Sequence, residues 1–242
     1  MKILALDSSG IVASVAVVED DTLLAEYTVN YKKTHSQTLL PMLDEIVKMT
    51  ELDLESVDAI AVAAGPGSFT GLRIGSATAK GLGLALKKPL VAVPTVDALA
   101  YNLYDAQGLI CPIMDARRKQ VYTGIYRFEE HQLMTLKEQW AASIDELLDN
   151  LNQRDEMVTL FGDGVPVFRE LIAEKLQVPY SFAPAHVNKQ RAAAVAALGS
   201  IYYKEGRTET AMEHIPEYLR VSQAERERAE REKEQKPAGT KI

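Results

Sequence analysis

The stretch AAGPGSFTGLRIG, which runs from Ala63 to Gly75, joins an apolar run to a segment with helical spacing. A glycine-rich turn between a buried strand and a helix is a common place for a phosphate-binding loop. A Walker loop ends in Gly-Lys followed by Ser or Thr, and that ending is missing here. The spacing of Gly65, Gly67 and Gly71 also misses the dinucleotide fingerprint by one residue. The pattern favours a tight strand-to-helix turn over nucleotide binding.

Other residues of this stretch favour the turn as well. Pro66 has no N–H to offer an anion, and Ser68 and Thr70 are both of the type that caps the start of a helix. Nucleotide binding stays open as the alternative, with a carboxylate at the end of the first strand to bind a metal carried by the phosphates. A vestigial nucleotide loop of this kind would consist of Asp7, Gly65, Gly67 and Ser68.

The helix predicted from Thr70 to Leu86 carries almost no side chain on one broad side. Each glycine costs a helix about 1 kcal/mol relative to alanine, so such a helix persists only where something packs closely on it. The chain's own sheet, a neighbouring helix or a partner subunit could fill that place. The small residues recur every four positions in two rows, which are Gly75, Ala79 and Gly83 in one and Ala77, Gly81 and Ala85 in the other.

The preceding helix favours a partner. Its apolar residues cover more of its circumference than one buried face needs, and an exposed apolar remainder suits an interface. Pro41 fits only near the first turn of a helix, so we expect this helix to start between Ser36 and Thr38. The candidate interface residues are Leu39, Met42, Leu43 and Ile46 of this helix and Gly75, Ala79 and Gly83 of the next.

The pattern of strands and helices occurs twice along the chain. Each half is predicted as three strands followed by a helix, a strand, a helix, a strand and a helix, without an obvious sequence repeat. This order predicts an α/β protein with mixed sheets and helices on their faces. We divide it into residues 1–106, residues 107–222 and a charged tail, residues 223–242, which we expect to be disordered or a solvated helix.

Composition excludes several classes of protein. One cysteine in 242 residues excludes a disulfide framework and a cysteine-based structural zinc site. The 27 Lys and Arg against 34 Asp and Glu give a net charge of −7, which disfavours a chain that grips nucleic acid by itself. The first apolar run ends at Asp7, too soon for a signal peptide, and no run approaches the roughly 20 residues of a membrane helix. We therefore expect a cytoplasmic protein that does not bind a membrane.

A search for catalytic chemistry finds little. The four histidines are scattered, without a His-x3-His pair, and Cys111 lies in an apolar strand, where it is most simply a small buried hydrophobe. Asp7 is as much a turn residue as a metal ligand. Asp115-Ala116-Arg117-Arg118 ends the first strand of the second half, where a second phosphate loop would lie, or it forms a turn with solvated charges. We therefore predict no catalytic residue, no metal site and no cofactor.

A set of motifs resembles those of a known family. The motifs are Asp7-Ser8-Ser9, His35 to Met42, Gly65 to Gly75, Lys80-Gly81, Val93-Pro94-Thr95, Asp115-Ala116-Arg117 and Pro216 to Arg220. With these motifs the chain is similar to the TsaB (YeaZ) family, the bacterial partner subunit in synthesis of tRNA threonylcarbamoyladenosine. The resemblance covers nearly all of the chain before the charged tail, and the glycine segment with its flanks is specific to this family and its catalytic paralogue, TsaD.

The resemblance implies an actin-like fold of two ribonuclease-H-like halves. It implies a non-catalytic subunit that binds TsaD, which moves the threonylcarbamoyl group to N6 of the adenosine beside the anticodon, with the ATPase TsaE as a further partner. In TsaD a His-x3-His metal site follows the corresponding strand, and those positions fall at Thr95 and Leu99 here. Leucine cannot bind a metal, and threonine alone is a poor ligand.

The first hypothesis is thus a TsaD-binding subunit that forms a homodimer when alone and meets tRNA only indirectly. The alternative is an active actin-like ATPase or small-molecule kinase that uses Asp7 and the turn from Gly65 to Gly71. A weaker third possibility is a metallopeptidase.

Overall fold

A computed structural model describes residues 1–220 of the chain. These residues form two five-stranded mixed sheets with the same internal order. The first half contains strands β1 Lys2–Asp7, β2 Val12–Glu19, β3 Thr22–Asn30, β4 Ala59–Gly65 and β5 Leu90–Pro94, with helices α1 His35–Thr50, α2 Phe69–Leu86 and α3 Thr95–Tyr101. The second contains β6 Leu109–Asp115, β7 Gln120–Glu129, β8 Gln132–Ser143, β9 Val158–Phe161 and β10 Tyr180–Phe182, with α4 Ile144–Asn152, α5 Val165–Lys175 and α6 Ala192–Lys204.

The sheets confirm the predicted fold class. The orders are β3-β2-β1-β4-β5 and β8-β7-β6-β9-β10. In each sheet the three strands that come first in the chain are antiparallel to their neighbours among them. The other two strands run parallel to β1 in the first sheet and to β6 in the second. The doubled order of elements is the actin-like arrangement of two ribonuclease-H-like halves. Strands β1, β4 and β6 are buried along nearly their whole length, which explains their continuous apolar sequences.

Two serine hydroxyls cap helices, and the first of them confirms the role predicted for Ser68. The hydroxyl oxygen of Ser68 accepts a hydrogen bond from the amide of Gly71 at the start of α2, over 3.3 Å. The hydroxyl of Ser143 accepts one from the amide of Glu146 at the start of α4, over 3.1 Å. Each bond satisfies a backbone N–H that has no partner inside its helix.

The predicted start of α1 is wrong by one residue. The helix begins at His35, and Pro41 lies inside it rather than in its first turn. Proline removes only the one backbone hydrogen bond that its missing N–H would make. Packing of the apolar side of α1 against β2 and β3 keeps the helix continuous through that position.

The last helix of the second half packs on the first sheet. Gly199 of α6 lies so close to Ala61 of β4 that a Cβ at this position would approach the Ala61 Cβ to 2.8 Å. Helices α1 and α2 cover one face of this sheet, while α3 and α6 cover the other. The boundary proposed at residues 106 and 107 falls between α3 and β6.

A C-terminal segment, Glu209 to Arg220, returns along α2 to the junction of the halves. It begins with a backbone pair between Leu90 and Glu209 at the edge of the first sheet. Further on, the Tyr218 ring stacks on Phe69 with their centroids 4.4 Å apart. This segment therefore follows α2 from its C-terminal end to its N-terminal end.

Of the helices between residues 1 and 220, none has the length and apolar character to cross a membrane. The predicted charged tail, residues 223–242, lies outside the described residues.

Candidate functional site: the interlobe cleft and the outer face of the second helix

The glycine turn between β4 and α2 is packed against two other segments. Gly65 has a φ of +120°, which favours glycine, and a Cβ here would collide with the carbonyl oxygen of Glu217. The amide of Gly65 donates to Oγ1 of Thr95 over 3.1 Å. The turn is thus fixed by α3 on one side and by the C-terminal segment on the other.

The residues of the proposed vestigial loop do lie together. The amide of Ser68 donates to the carbonyl oxygen of Ser9 over 2.7 Å, and a Cβ on Gly67 would collide with the same carbonyl. These contacts hold the turn after β1 against the start of α2. The amides of Gly65 and Ser68 are therefore already bonded inside the chain, which does not favour the kinase hypothesis.

Asp7 is buried beneath this contact. Its side chain is 1% exposed, and its Oδ1 accepts hydrogen bonds from the amide of Ser9 at 2.9 Å and the hydroxyl of Ser9 at 2.7 Å. Burial raises the pKa of the Asp7 carboxyl above its usual value, although the two bonds from Ser9 act in the opposite direction. In this structure Asp7 organises the turn after β1.

The raised pKa of Asp7 gives a prediction for stability. The folded chain binds a proton at Asp7 more readily than the unfolded chain does. This carboxyl therefore lowers stability as pH rises from its unfolded pKa through its folded pKa. We expect Asp7→Asn to become more stable relative to the parent as pH is raised from about 4 to about 7, measured by chemical denaturation at each pH.

Asp20 supplies the control of opposite sign. It accepts a hydrogen bond from the N-terminal amine over 2.7 Å, which lowers its pKa. The stability that it contributes is present above the unfolded pKa and is lost as pH falls. Asp20→Asn should therefore become less stable relative to the parent as pH is raised from about 2 to about 4. A shift of the same sign in both variants, each over its own pH range, would contradict these two pKa directions.

A cavity of about 580 Å³ opens between the two halves. Its walls come from the turn after β1, the start of α2, residues 114–118 at the end of β6 and just beyond it, and the C-terminal segment. Three arginines and two aspartates line it, whereas Asp7 does not. The arginines are Arg117, Arg118 and Arg220, and the aspartates are Asp115 and Asp163.

The candidate interface residues lie inside the chain's own core, which corrects the sequence assignment. Leu39, Met42, Leu43 and Ile46 of α1 are each at most 4% exposed. On α2, Gly75 faces the Ser8 hydroxyl, Gly83 faces Leu90, and Ala79 is fully buried. The inner row of small residues lets α2 approach its own sheet, and these seven positions offer no free surface.

The second row of small residues faces outward. Ala77, Gly81 and Ala85 are exposed, and nothing lies within 4 Å of a Cβ built on Gly81. Leu84, on the same exposed side of α2, is 64% exposed. We call this surface, formed by Ala77, Gly81, Leu84 and Ala85, the outer helix face.

Comparison with known proteins identifies the family. The model of the family "TsaD: tRNA N6-adenosine threonylcarbamoyltransferase" matches residues 22–228. The tRNA threonylcarbamoyladenosine biosynthesis protein TsaB of Bacillus subtilis is 33% identical over 225 residues, which are 93% of this chain and 96% of that protein. The chain belongs to the TsaB (YeaZ) family. The TsaB of Escherichia coli is 31% identical, covering 91% of this chain and 95% of the relative.

A solved structure agrees with this assignment. YeaZ from Pseudomonas aeruginosa superposes with a TM-score of 0.76 at 25% identity, covering 90% of this chain and 99% of that one. The match extends over both sheets, so the whole described fold is that of the TsaB family.

The positions compared with the metal site of TsaD have other roles in this TsaB-family chain. The Thr95 hydroxyl accepts the amide of Gly65, and Leu99 is 1% exposed in the core between the halves. Among residues 1–220 no three His, Cys, Asp or Glu side chains come together as a metal site. Burial raises the pKa of the Cys111 thiol to about 12, which disfavours the reactive thiolate.

The sequence did not single out two of the cleft residues as site residues. For the segment that contains Arg118, a second phosphate loop and a turn with solvated charges both stayed open, and Arg220 was noted only inside a family motif. The available signal was the pair of adjacent arginines, Arg117 and Arg118, shortly after the buried strand β6.

Proposed function

We propose that this chain is the non-catalytic, cytoplasmic partner subunit of a tRNA N6-adenosine threonylcarbamoyltransferase complex. Its partner is TsaD, and the complex modifies the adenosine beside the anticodon in tRNAs that read codons beginning with A. The family model and the names of the relatives support a role in this modification. TsaE is the further partner in this proposal.

The outer helix face is the observation that carries the proposal. Gly81 costs α2 about 1 kcal/mol relative to alanine, yet no part of the described chain packs against it. A row of small residues beside exposed Leu84 offers a shallow apolar groove. We propose that the corresponding helices of TsaD lie in this groove, and that a second copy does so when TsaD is absent, because a self-complementary patch suits two-fold symmetry.

The absence of catalysis is part of the proposal. The resemblance implies that Thr95 and Leu99 correspond to the metal-binding histidines of TsaD. The Thr95 hydroxyl accepts a hydrogen bond from the Gly65 amide, and leucine has no atom that binds a metal, which supports a subunit without that site. The net charge of −7 supports tRNA contact through TsaD, since an acidic surface repels the phosphate backbone.

Gly81→Arg tests the outer helix face. The open space around Gly81 allows arginine without disturbing the chain's own core, whereas replacement of Ala79 or Gly83 would damage it. A bulky charge in the middle of an apolar groove should weaken binding to TsaD by at least about 100-fold, a cost of about 2.7 kcal/mol. Size-exclusion chromatography and titration calorimetry with purified TsaD measure this.

Glu170→Arg is the matched control, because it places an arginine on the exposed side of α5, in the second half of the chain and not on the outer helix face. It should bind TsaD normally. Reconstitution with TsaD and TsaE, with threonylcarbamoyladenosine measured in tRNA by mass spectrometry, should show loss of modification when this chain is omitted or carries Gly81→Arg. If folded Gly81→Arg bound TsaD as tightly as the parent, the outer helix face would not be part of the interface.

A further inference from the structure

The C-terminal segment presents two large apolar side chains to solvent. Met212 is 84% exposed and Ile215 is 75% exposed, and within residues 1–220 no large apolar side chain is more exposed than Met212. Single apolar residues are common on protein surfaces, so exposure alone assigns no role. The backbone that carries this pair and its place beside α2 distinguish it.

Met212 lies in a turn closed by hydrogen bonds. The amide and the hydroxyl of Thr210 both donate to Oε2 of Glu213, over 2.9 and 2.8 Å. The amide of His214 donates to the carbonyl oxygen of Thr210 over 3.1 Å. Ordering a backbone costs conformational entropy, and these bonds offset that cost while leaving the Met212 side chain in solvent.

Ile215 follows a buried anchor. The side chain of His214 is buried, and its Nδ1 forms a hydrogen bond with Oε1 of Glu209 over 2.6 Å. Ala211, on the other side of Met212, is buried as well. Buried residues therefore fix the segment immediately before each of the two exposed apolar side chains.

The same buried residues place the segment against one flank of α2. A Cβ built on Gly83 would lie 3.6 Å from the Cβ of Ala211. The ammonium group of Lys80 donates to the carbonyl oxygen of His214 over 2.8 Å. The turn with Met212 and Ile215 is thus attached to the C-terminal part of α2.

That flank of α2 borders the outer helix face. Lys80 comes three residues after Ala77 and four before Leu84, and residues with this spacing are neighbours on a helix surface. Ala77 and Leu84 both belong to the outer helix face. Met212 and Ile215 therefore extend the apolar surface of α2 sideways, onto the segment that lies along it.

The outer helix face is too small to be a whole interface. A stable protein–protein interface buries about 800 Å² on each partner, contributed by roughly 20 residues or more. The outer helix face consists of Ala77, Gly81, Leu84 and Ala85, and three of these have at most a methyl group as side chain. A partner that binds α2 must therefore cover neighbouring surface too, and it gains most where that surface is apolar.

The last residues of the chain are poorly suited to cover the pair. Residues 222–241 include no Val, Leu, Ile, Met or aromatic residue. Charged and small side chains bury little apolar area, so they would gain little by contact with Met212 and Ile215. This composition favours another molecule as the occupant of the surface.

We propose that Met212 and Ile215 form a second contact surface for TsaD, which the partner covers together with the outer helix face. The inference rests on the proposed role of this chain as a TsaD partner and names a part of the interface outside α2. An apolar patch on TsaD is the chemistry that fits the two side chains.

Oxidation by hydrogen peroxide tests the contact without altering the chain. Peroxide transfers one oxygen atom to the methionine sulfur and leaves water, at a rate that follows the exposure of the sulfur. We expect Met212 of the dilute free chain to be oxidised readily, and at least about fivefold more slowly once purified TsaD saturates it. Met134, which is 40% exposed on β8, is the internal reference and should react equally in both samples, as read by peptide mass spectrometry.

Two substitutions test the contribution to affinity. Met212→Lys and Ile215→Lys each place a charge in an apolar contact, and each should weaken TsaD binding about tenfold in titration calorimetry. Both side chains are exposed, so the urea midpoint of unfolding should equal that of the parent. Met134→Lys makes the same exchange in the second half of the chain and should bind TsaD as the parent does.

Gly81→Arg separates this inference from the proposed function. If Met212→Lys and Ile215→Lys bound TsaD normally while Gly81→Arg did not, the inference would be overturned and the partner role would stand. Equal oxidation of Met212 with and without saturating TsaD would also overturn it. Protection of Met212 that followed the concentration of this chain, and not that of TsaD, would assign the surface to a second copy and overturn it as well. A parent chain that failed to bind TsaD would contradict the proposed function itself.

Discussion

Gly71→Ala is expected to destabilise the chain by about 3 kcal/mol, although alanine is the better helix former. Gly71 is the third residue of α2, and a Cβ there would lie well under 3.0 Å from the carbonyl oxygen of Ser8. The obstacle is backbone, which cannot rotate away. It is also fixed, because the Ser8 hydroxyl donates to the Gly71 carbonyl over 2.9 Å and Ser9 is bonded to Asp7.

Gly81→Ala is the matched control for this prediction. It is the same exchange on the same helix, but the added methyl group meets nothing within 4 Å. We therefore expect a gain of up to about 1 kcal/mol from helix propensity. Chemical denaturation of the two variants beside the parent should give changes of opposite sign, and a Gly71→Ala chain as stable as Gly81→Ala would show that the turn after β1 moves freely.

The second large effect is expected at the contact between the halves. Tyr126 of β7 is fully buried and donates its hydroxyl to Oδ1 of Asp97 on α3 over 2.7 Å. Tyr202 of α6 donates to the other carboxylate oxygen over 3.4 Å. Tyr126→Phe leaves a half-buried carboxylate with the longer of its two bonds, so we expect a loss of about 2 kcal/mol at neutral pH.

The destabilisation by Tyr126→Phe is expected to grow as pH rises. Burial raises the pKa of Asp97, while the bond from Tyr126 acts to lower it. Without that bond the pKa of Asp97 rises further, so the variant loses most stability where the carboxyl is ionised and less where it is protonated. The destabilisation measured at about pH 7.5 should exceed that at about pH 4.5.

Tyr31→Phe is the control, because it removes the same hydroxyl group from a side chain that is 66% exposed to solvent. It should change stability by less than about 0.5 kcal/mol at both pH values. A destabilisation by Tyr126→Phe that does not vary with pH would show that the Asp97 carboxyl does not carry the effect.

Much of the architecture could be predicted from local sequence patterns. The apolar runs of β1 and β4, the caps Ser68 and Ser143, and the doubled order of elements are all visible over short windows. The interior Pro41 of α1 was the exception, since packing against the first sheet outweighs one missing hydrogen bond.

The candidate site was only partly accessible in this way. Gly75 and Gly81 belong to two rows with the same composition and the same spacing, and nothing in the sequence says which row faces the sheet. The fold places Gly75 against Ser8 and leaves Gly81 open, because the turn after β1 packs on only one side of α2. The sequence therefore could not tell the buried row of α2 from the exposed one, and the seven residues that it selected lie on the buried side.

The sequence by itself determined the elements of this protein, their caps and their order, because these depend on residues a few positions apart. Its motifs also determined the family, which the relatives confirm. Only the tertiary structure decided which helix side is free and that Arg118 and Arg220 share one cleft with the start of α2. Those contacts join residues far apart in the chain, and their geometry is set by how the two sheets and the C-terminal segment pack together.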